Sequence, residues 1–224
     1  MSRRVSARGL MRAVLAAALV VCTAGVAAPL HAATSPEKAE KLAARMLDVE
    51  ALLDKAANQL AATLDSMNAI SAAKPEDLAA RYEDFHDNFA TLGSMAKKAR
   101  SSAEKAASDR GAYLKKWQSA QDKIQNEQLK AASQARRDEL MPMIDAIHGS
   151  LTSARDTFYP LMQSLKDLDL YLGNNLSQQG ISLSGNLMAK CTSDGAAVKA
   201  DIDRGREAIK ALSSNIRPGA GASR

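Results

Sequence analysis

Two segments place a carboxylate three residues before a histidine: Glu83-Asp84-Phe85-His86 and Asp145-Ala146-Ile147-His148. On a helix, that spacing puts the acid and the imidazole on one face. Di-iron bundles use such pairs, together with two further inward glutamates, to hold metal. Here the neighbouring Phe85 and Ile147 fall on the apolar stripe and the histidines flank it. We therefore read both histidines as surface or flanking groups and keep a metal-binding helical bundle only as a third choice. Cys191 has the type of a nucleophile but sits at an apolar seam position, which reads as a buried core thiol. Gly180-Ile181-Ser182-Leu183-Ser184-Gly185 holds serines without a nearby histidine, so a loop accounts for it better than a hydrolase. Tyr113 and Trp117 share helical spacing with Phe85 and Phe89 and read as core. The sequence has no Cys-x-x-Cys-His for covalent haem and no Gly-rich phosphate loop. No catalytic, cofactor-binding or metal-ligating residue is assigned, and the chain reads as non-enzymatic.

The elements that would carry these residues are long helices. From Leu140 to Leu176 the apolar residues Leu140, Ile144, Ile147, Leu151, Ala154, Phe158, Leu161, Leu165, Leu168, Leu172 and Leu176 follow one another by threes and fours. This is the a/d spacing of a helix that buries a narrow seam. Pro142 and Pro160 interrupt it, and an interior proline usually kinks a helix. Upstream, Ser35-Pro36-Glu37 is a helix start, with Ser as N-cap and Pro in the first turn. The seam Leu42, Met46, Val49, Leu53, Ala56, Leu60, Leu64, Met67 and Ile70 predicts a helix over about residues 36–72, roughly 55 Å long at the helical rise. Lys74-Pro75 ends it. A second helix opens at Pro75-Glu76-Asp77, with a seam at Leu78, Tyr82, Phe85, Phe89, Leu92, Ala96, Ala99, Ala103, Ala106, Tyr113, Trp117, Ala120 and Ile124. A bend is expected near Gly111, since a helical glycine costs about 1 kcal/mol. Its end is expected near Gln125 to Gln128, with a reversal in the polar stretch 125–138. Gly173-Asn174-Asn175 ends the third helix, and Gln178-Gln179-Gly180 reads as more loop. A last helix is expected from Ser182 to Asn215, with its seam at Leu187, Cys191, Asp194 or Gly195, Val198, Ile202, Gly205, Ile209, Leu212 and Ile216. The fold class that results is all-α: an elongated antiparallel bundle of about four long, coiled-coil-like helices, in one domain over 33–216. Residues 217–224, with Pro218-Gly219-Ala220-Gly221, read as a flexible tail.

The N-terminus reads as an address. Arg3, Arg4, Arg8 and Arg12 precede an apolar run from Ala13 to Ala28; Pro29 and Leu30-His31-Ala32 follow. This is the layout of a secretory signal, residues 1–32, with cleavage after Ala32 as first choice. The run falls short of the ~20 residues that span a bilayer, which favours cleavage over a retained anchor. Lipid anchoring at Cys22 is the second choice, because Val21 stands where a lipoprotein carries a small residue. These four arginines also account for most of the formal net charge of +5; the remaining 26 basic and 25 acidic residues nearly balance and are interspersed. A near-neutral chain offers no phosphate-tracking stripe, so nucleic acid is not an expected partner. Cleavage would leave Cys191 as the one cysteine of the mature chain, which then folds without an internal disulfide in its oxidising compartment.

Several segments resemble a family of exported bacterial helical proteins described as a domain of unknown function, many members of which are lipoproteins. They are Leu78-Ala79-Ala80-Arg81-Tyr82 at a helix start, the single Trp117 ahead of a polar reversal, Phe158-Tyr159-Pro160-Leu161, and Leu170-Tyr171-Leu172-Gly173-Asn174-Asn175-Leu176. The resemblance covers about residues 36–216. It implies an all-helical protein located in the cell envelope and supplies no activity and no functional residues. At Cys22 this chain departs from the lipoprotein pattern. The expectation is a periplasmic or secreted protein with a structural or interaction role, partnered by an envelope protein or by itself. Peripheral membrane contact is the alternative role, and the polar residues Asn174 to Gln179 are the expected place of a partner contact.

Overall fold

The computed structural model describes residues 36–216. The expected signal segment 1–32, with Cys22, the expected Ser35 cap and the expected tail 217–224 lie outside the described residues.

Helix α1, Pro36–Ser71, starts on a proline whose fixed φ suits a first turn. It buries Ala39, Leu42, Ala43, Met46, Val49, Leu53, Ala57, Leu60, Leu64, Met67 and Ile70, a stripe advancing by threes and fours. The helix stops because Lys74 precedes Pro75 and is held extended, at φ −74° and ψ 157°. A single 3-10 turn, Pro75–Asp77, reverses the chain into α2, Leu78–Gln121.

Helix α2 is unbroken through Gly93 and Gly111 and buries less than its apolar spacing suggests. Leu78, Phe85, Leu92 and Ala99 are buried at a strict seven-residue repeat, and Tyr113 is the next in that repeat to be buried. The alternate positions Tyr82, Phe89 and Ala103 are only partly covered. The expected end near Gln125 is corrected: α2 closes at Gln121, whose side chain is buried, and Ile124 lies in the turn. The reversal is only five residues long, Asp122 to Asn126, so most of the polar stretch 125–138 is helical. Asn126 makes this possible, since its side chain accepts the Leu129 N–H at 3.0 Å and caps α3, Glu127–Asn174.

Helix α3 runs without a break through Pro142 and Pro160. Both prolines are exposed, and the carbonyls of Asp138 and Asp156, which they deprive of a donor, belong to exposed residues. At exposed positions solvent can take the place of the lost donor, so the helix tolerates both prolines. The α3 N-terminal seam is buried at Leu140, Ile144, Ile147 and Ala154, and the C-terminal half packs most firmly, with Leu161, Leu165, Leu168 and Leu172 fully buried.

The second correction concerns the last reversal. Gln178-Gln179-Gly180 is not loop: α4 spans Gln178–Ile216, because the Ser177 hydroxyl accepts the Gly180 N–H at 3.1 Å and caps the helix there. Gly180 is required by space, since a Cβ on it would stand 2.2 Å from the Asn175 carbonyl oxygen. The expected serine loop Gly180–Gly185 thus lies within the first turns of α4.

The four helices run up-down-up-down, and each neighbouring pair is antiparallel. Arg45 with Asp109, and Gln59 with Asn88, register α1 on α2. Glu50 with Arg206 registers α1 on α4, and Ser153 with Asp201 registers α3 on α4. Helix α4 nests closely against two neighbours at glycines. A Cβ on Gly195 would lie 2.3 Å from Leu64 of α1, and one on Gly205 would lie 3.0 Å from Leu151 of α3. The backbones of α2 and α3 come close to each other along less of their length than those of the other three neighbouring pairs do. Composition explains the asymmetry. The single Trp, four Tyr and three Phe all lie on α2 and α3, none on α1 or α4. Bulky rings hold two backbones apart, and small residues let two others close.

Candidate functional site

Because α2 and α3 are separated by large side chains, polar groups bridge them along their length. Trp117 Nε1 donates to the buried Ser133 hydroxyl at 2.9 Å, Gln121 Nε2 donates to Gln134 at 2.9 Å, and Arg137 binds Gln118. Towards the opposite end, Arg100 donates to the Tyr159 hydroxyl at 3.0 Å.

The densest of these bridges joins Tyr82, His86 and Asp169. Tyr82 and His86 are one helical turn apart on α2, ring centroids 6.0 Å apart. Both reach one α3 carboxylate. Asp169 is buried, although it sits among Leu165, Leu168 and Leu172. The His86 Nδ1 lies 2.9 Å from Asp169 Oδ1, and the Tyr82 hydroxyl lies 3.2 Å from both that oxygen and the Asp169 carbonyl. Room for the phenol exists because position 173, one turn beyond, is glycine; a Cβ there would stand 2.6 Å from the Tyr82 oxygen. The hydrogen bond and charge of Asp169 raise the His86 pKa above its ordinary 6.5. Burial, then the Asp169 charge, raises that of Tyr82. The phenol therefore stays protonated and donates, and the imidazole is readily charged. This arrangement can hold and exchange a proton and can tie α2 to α3 beside the α3–α4 turn.

The histidine pairs found in the sequence do not meet. His86 stands level with Asp169, whereas His148 is 21 positions away from that level on α3, roughly 30 Å along the axis. The partner of His86 is Asp169 on another helix rather than Glu83 on its own. Among the described residues, no group of three or more His, Cys, Asp or Glu side chains converges as metal ligands would. Cys191 is fully buried, and desolvation pushes its thiol up to about 11. Ser184 is buried and donates to the Ile181 carbonyl at 2.9 Å, while Ser182 is exposed on the next face.

A second buried carboxylate, Asp201 on α4, accepts from Ser153 at 2.7 Å and pairs with Arg204. Neither Asp169 nor Asp201 stood out in the sequence. The available signal was an acid at seam spacing: Asp169 is four beyond Leu165 and three before Leu172, and Asp201 is three beyond Val198 and four before Gly205. On the outside of α1 and α4, Arg206 links Glu50 and Asp54 at 2.9 and 2.7 Å.

Two shallow hollows open on the surface. One, about 250 Å³, is lined by Leu168, Tyr171, Leu183, Ser184 and Leu187 between α3 and α4. The other, about 200 Å³, lies between α1 and α4 beside Gly195 and is lined in part by Leu60, Leu64, Asn68 and Thr192. Among the described residues, no helix is long and apolar enough to cross a membrane.

The fold defined by these elements is an all-α antiparallel four-helix bundle, cross-tied by polar pairs. The chain belongs to the family described as "Protein of unknown function (DUF2959)", whose match covers residues 33–216, from just ahead of α1 to the end of α4. No match is found among curated proteins or among solved structures.

Proposed function

We propose that this is an exported, non-enzymatic helical bundle of the bacterial cell envelope that works as an interaction or structural module. The observation that carries the reading is an exposed apolar surface on an otherwise well-packed bundle. Leu183 is 71% exposed and Leu170 is 55% exposed, while the seams behind them are closed. Leu183 lines an apolar hollow with Leu168, Tyr171 and Leu187, and an exposed leucine so placed marks a binding surface more often than an isolated one does. The titratable groups support the same reading. Asp169, Asp201, Glu50 and Arg206 are each engaged with a partner on a neighbouring helix, which is the work of a scaffold. Export rests on the basic and apolar pattern of residues 1–32, with cleavage after Ala32 and release to the periplasm or beyond.

Crosslinking in intact cells, followed by mass spectrometry of the adducts, tests the role. A reproducible adduct with an envelope protein or with a second copy is expected; reproducible capture of nothing overturns it. The mature N-terminus from the same material tests the address: a chain beginning at Ala33 is expected, and a diacylated Cys22 contradicts it.

A further inference from the structure

We infer that the α3/α4 face beside the α3–α4 turn is a self-association surface, and that its occupant is a second copy of this chain. The inference rests on the reading of the protein as an interaction module and names the partner.

The first observation is shape. The hollow between Leu168, Tyr171, Ser184 and Leu187 has Leu183 on its rim, and Leu183 stands mostly in solvent. Hole and knob therefore lie on one surface of one molecule. A two-fold interface brings the same patch of two copies together, so it requires a surface carrying both complements. A leucine entering a hole between two helices is also the packing that the bundle uses internally.

The second observation is charge. From Leu170 to Ala189 the chain has no Asp, Glu, Lys, Arg or His, twenty residues in a row, in a sequence that is 25% charged. The longest other uncharged runs among the described residues, 56–64, 88–96 and 157–165, each hold nine residues. The run covers the end of α3, the turn and the first three turns of α4. At its borders Asp169 is hydrogen-bonded to His86 and Lys190 is paired with Asp194, while Lys166 and Asp167, just ahead of it on α3, are exposed. Two copies meeting here bring no like charges together, and charge depletion is what distinguishes the centre of an interface from other surface. A lipid surface or a nucleic acid would call for lysine and arginine around the leucines, and this stretch carries none.

The test is the mass of the protein in solution, purified from cells expressing the full chain. Sedimentation equilibrium over a concentration series is expected to show a monomer–dimer equilibrium for the wild type. Leu183→Glu puts a carboxylate into the partner's apolar hollow and is expected to raise the dimer Kd at least ~10-fold. Leu183→Met is expected to retain the dimer, and circular dichroism of both variants should match the wild type, since position 183 is exposed. A wild type that is monomeric throughout, or a Leu183→Glu chain as dimeric as the wild type, overturns the inference. So does Leu183-dependent co-sedimentation of a monomer with phosphatidylcholine or phosphatidylglycerol vesicles. A monomer that still yields a reproducible adduct in cells overturns self-association alone and leaves the interaction reading standing.

Discussion

The same substitution, glycine to alanine, should stabilise the protein at one helical position and fail to do so at another, and the structure says which. At Gly111 in α2 a new Cβ meets nothing within 4 Å. Alanine there keeps only its helical advantage, about 1 kcal/mol over glycine. For an ordered region of this size that corresponds to a rise in Tm of about 2–4 °C. At Gly195 in α4 the same gain applies, but the Cβ would lie 2.3 Å from Leu64 Cδ1, which is buried in α1. Leu64 has to leave its rotamer or the helices have to separate, and overpacking of this kind costs about 1–3 kcal/mol. Gly195→Ala is therefore expected to fall between unchanged and about 2 kcal/mol less stable. The propensity gain cancels when the two variants are compared, so their difference measures the overlap itself. Urea melts followed by helical circular dichroism give both values. Trimming Leu64 to Val should shrink the Gly195→Ala penalty, since the two sites share one contact. Equal stabilisation by the two alanines would refute the close approach of α1 and α4, and with it the packing described for α4.

Further outcomes follow from single side chains. The buried Cys191 thiol, pushed up to about 11, should resist alkylation in the native protein at pH 8 and react fully in urea; rapid native labelling of its peptide would contradict its burial. His86 should titrate above its ordinary 6.5 by NMR because Asp169 favours the charged ring. The stability it adds is present in full below pH ~6.5 and is lost as pH rises through the higher folded value. The effect is small, because the imidazole is half exposed. His86→Gln should flatten that slope, and an unshifted titration would contradict the pairing. Trp117 is 2% exposed and bonds Ser133, so native fluorescence should be blue-shifted and should move to the red on unfolding; solvent-like native emission would place the ring outside the core.

Much of the architecture was legible because seam spacing is a strong signal. The α1 stripe from Leu42 to Ile70 is buried nearly throughout, and its expected end at residue 72 falls one beyond Ser71. The end of α2 and the starts of α3 and α4 were misplaced, the two starts for a local reason: single polar caps decide them. Asn126 and Ser177 each recruit a backbone N–H three residues on and convert polar, loop-like sequence into a first helical turn. Pro142 and Pro160 do not break α3, because each lies on its solvent face, which depends on how α3 rotates against its neighbours. The cluster around Asp169 needed the α2/α3 register, set by the length of a five-residue turn that composition alone did not reveal. An acid at seam spacing was present in the sequence and is the cue to use. The expected partner contact at Asn174–Gln179 lies within the uncharged stretch, but Leu183, the exposed leucine that lines the apolar hollow, lies beyond it on α4.

The most direct test of the account is site-specific photo-crosslinking in living cells. A photoreactive residue is placed at Leu183 on the apolar face, and separately at Glu104, an exposed position on α2. A discrete adduct of twice the chain's mass is expected from position 183 and none from position 104. Equal yields from both positions, or no adduct from either, would contradict it.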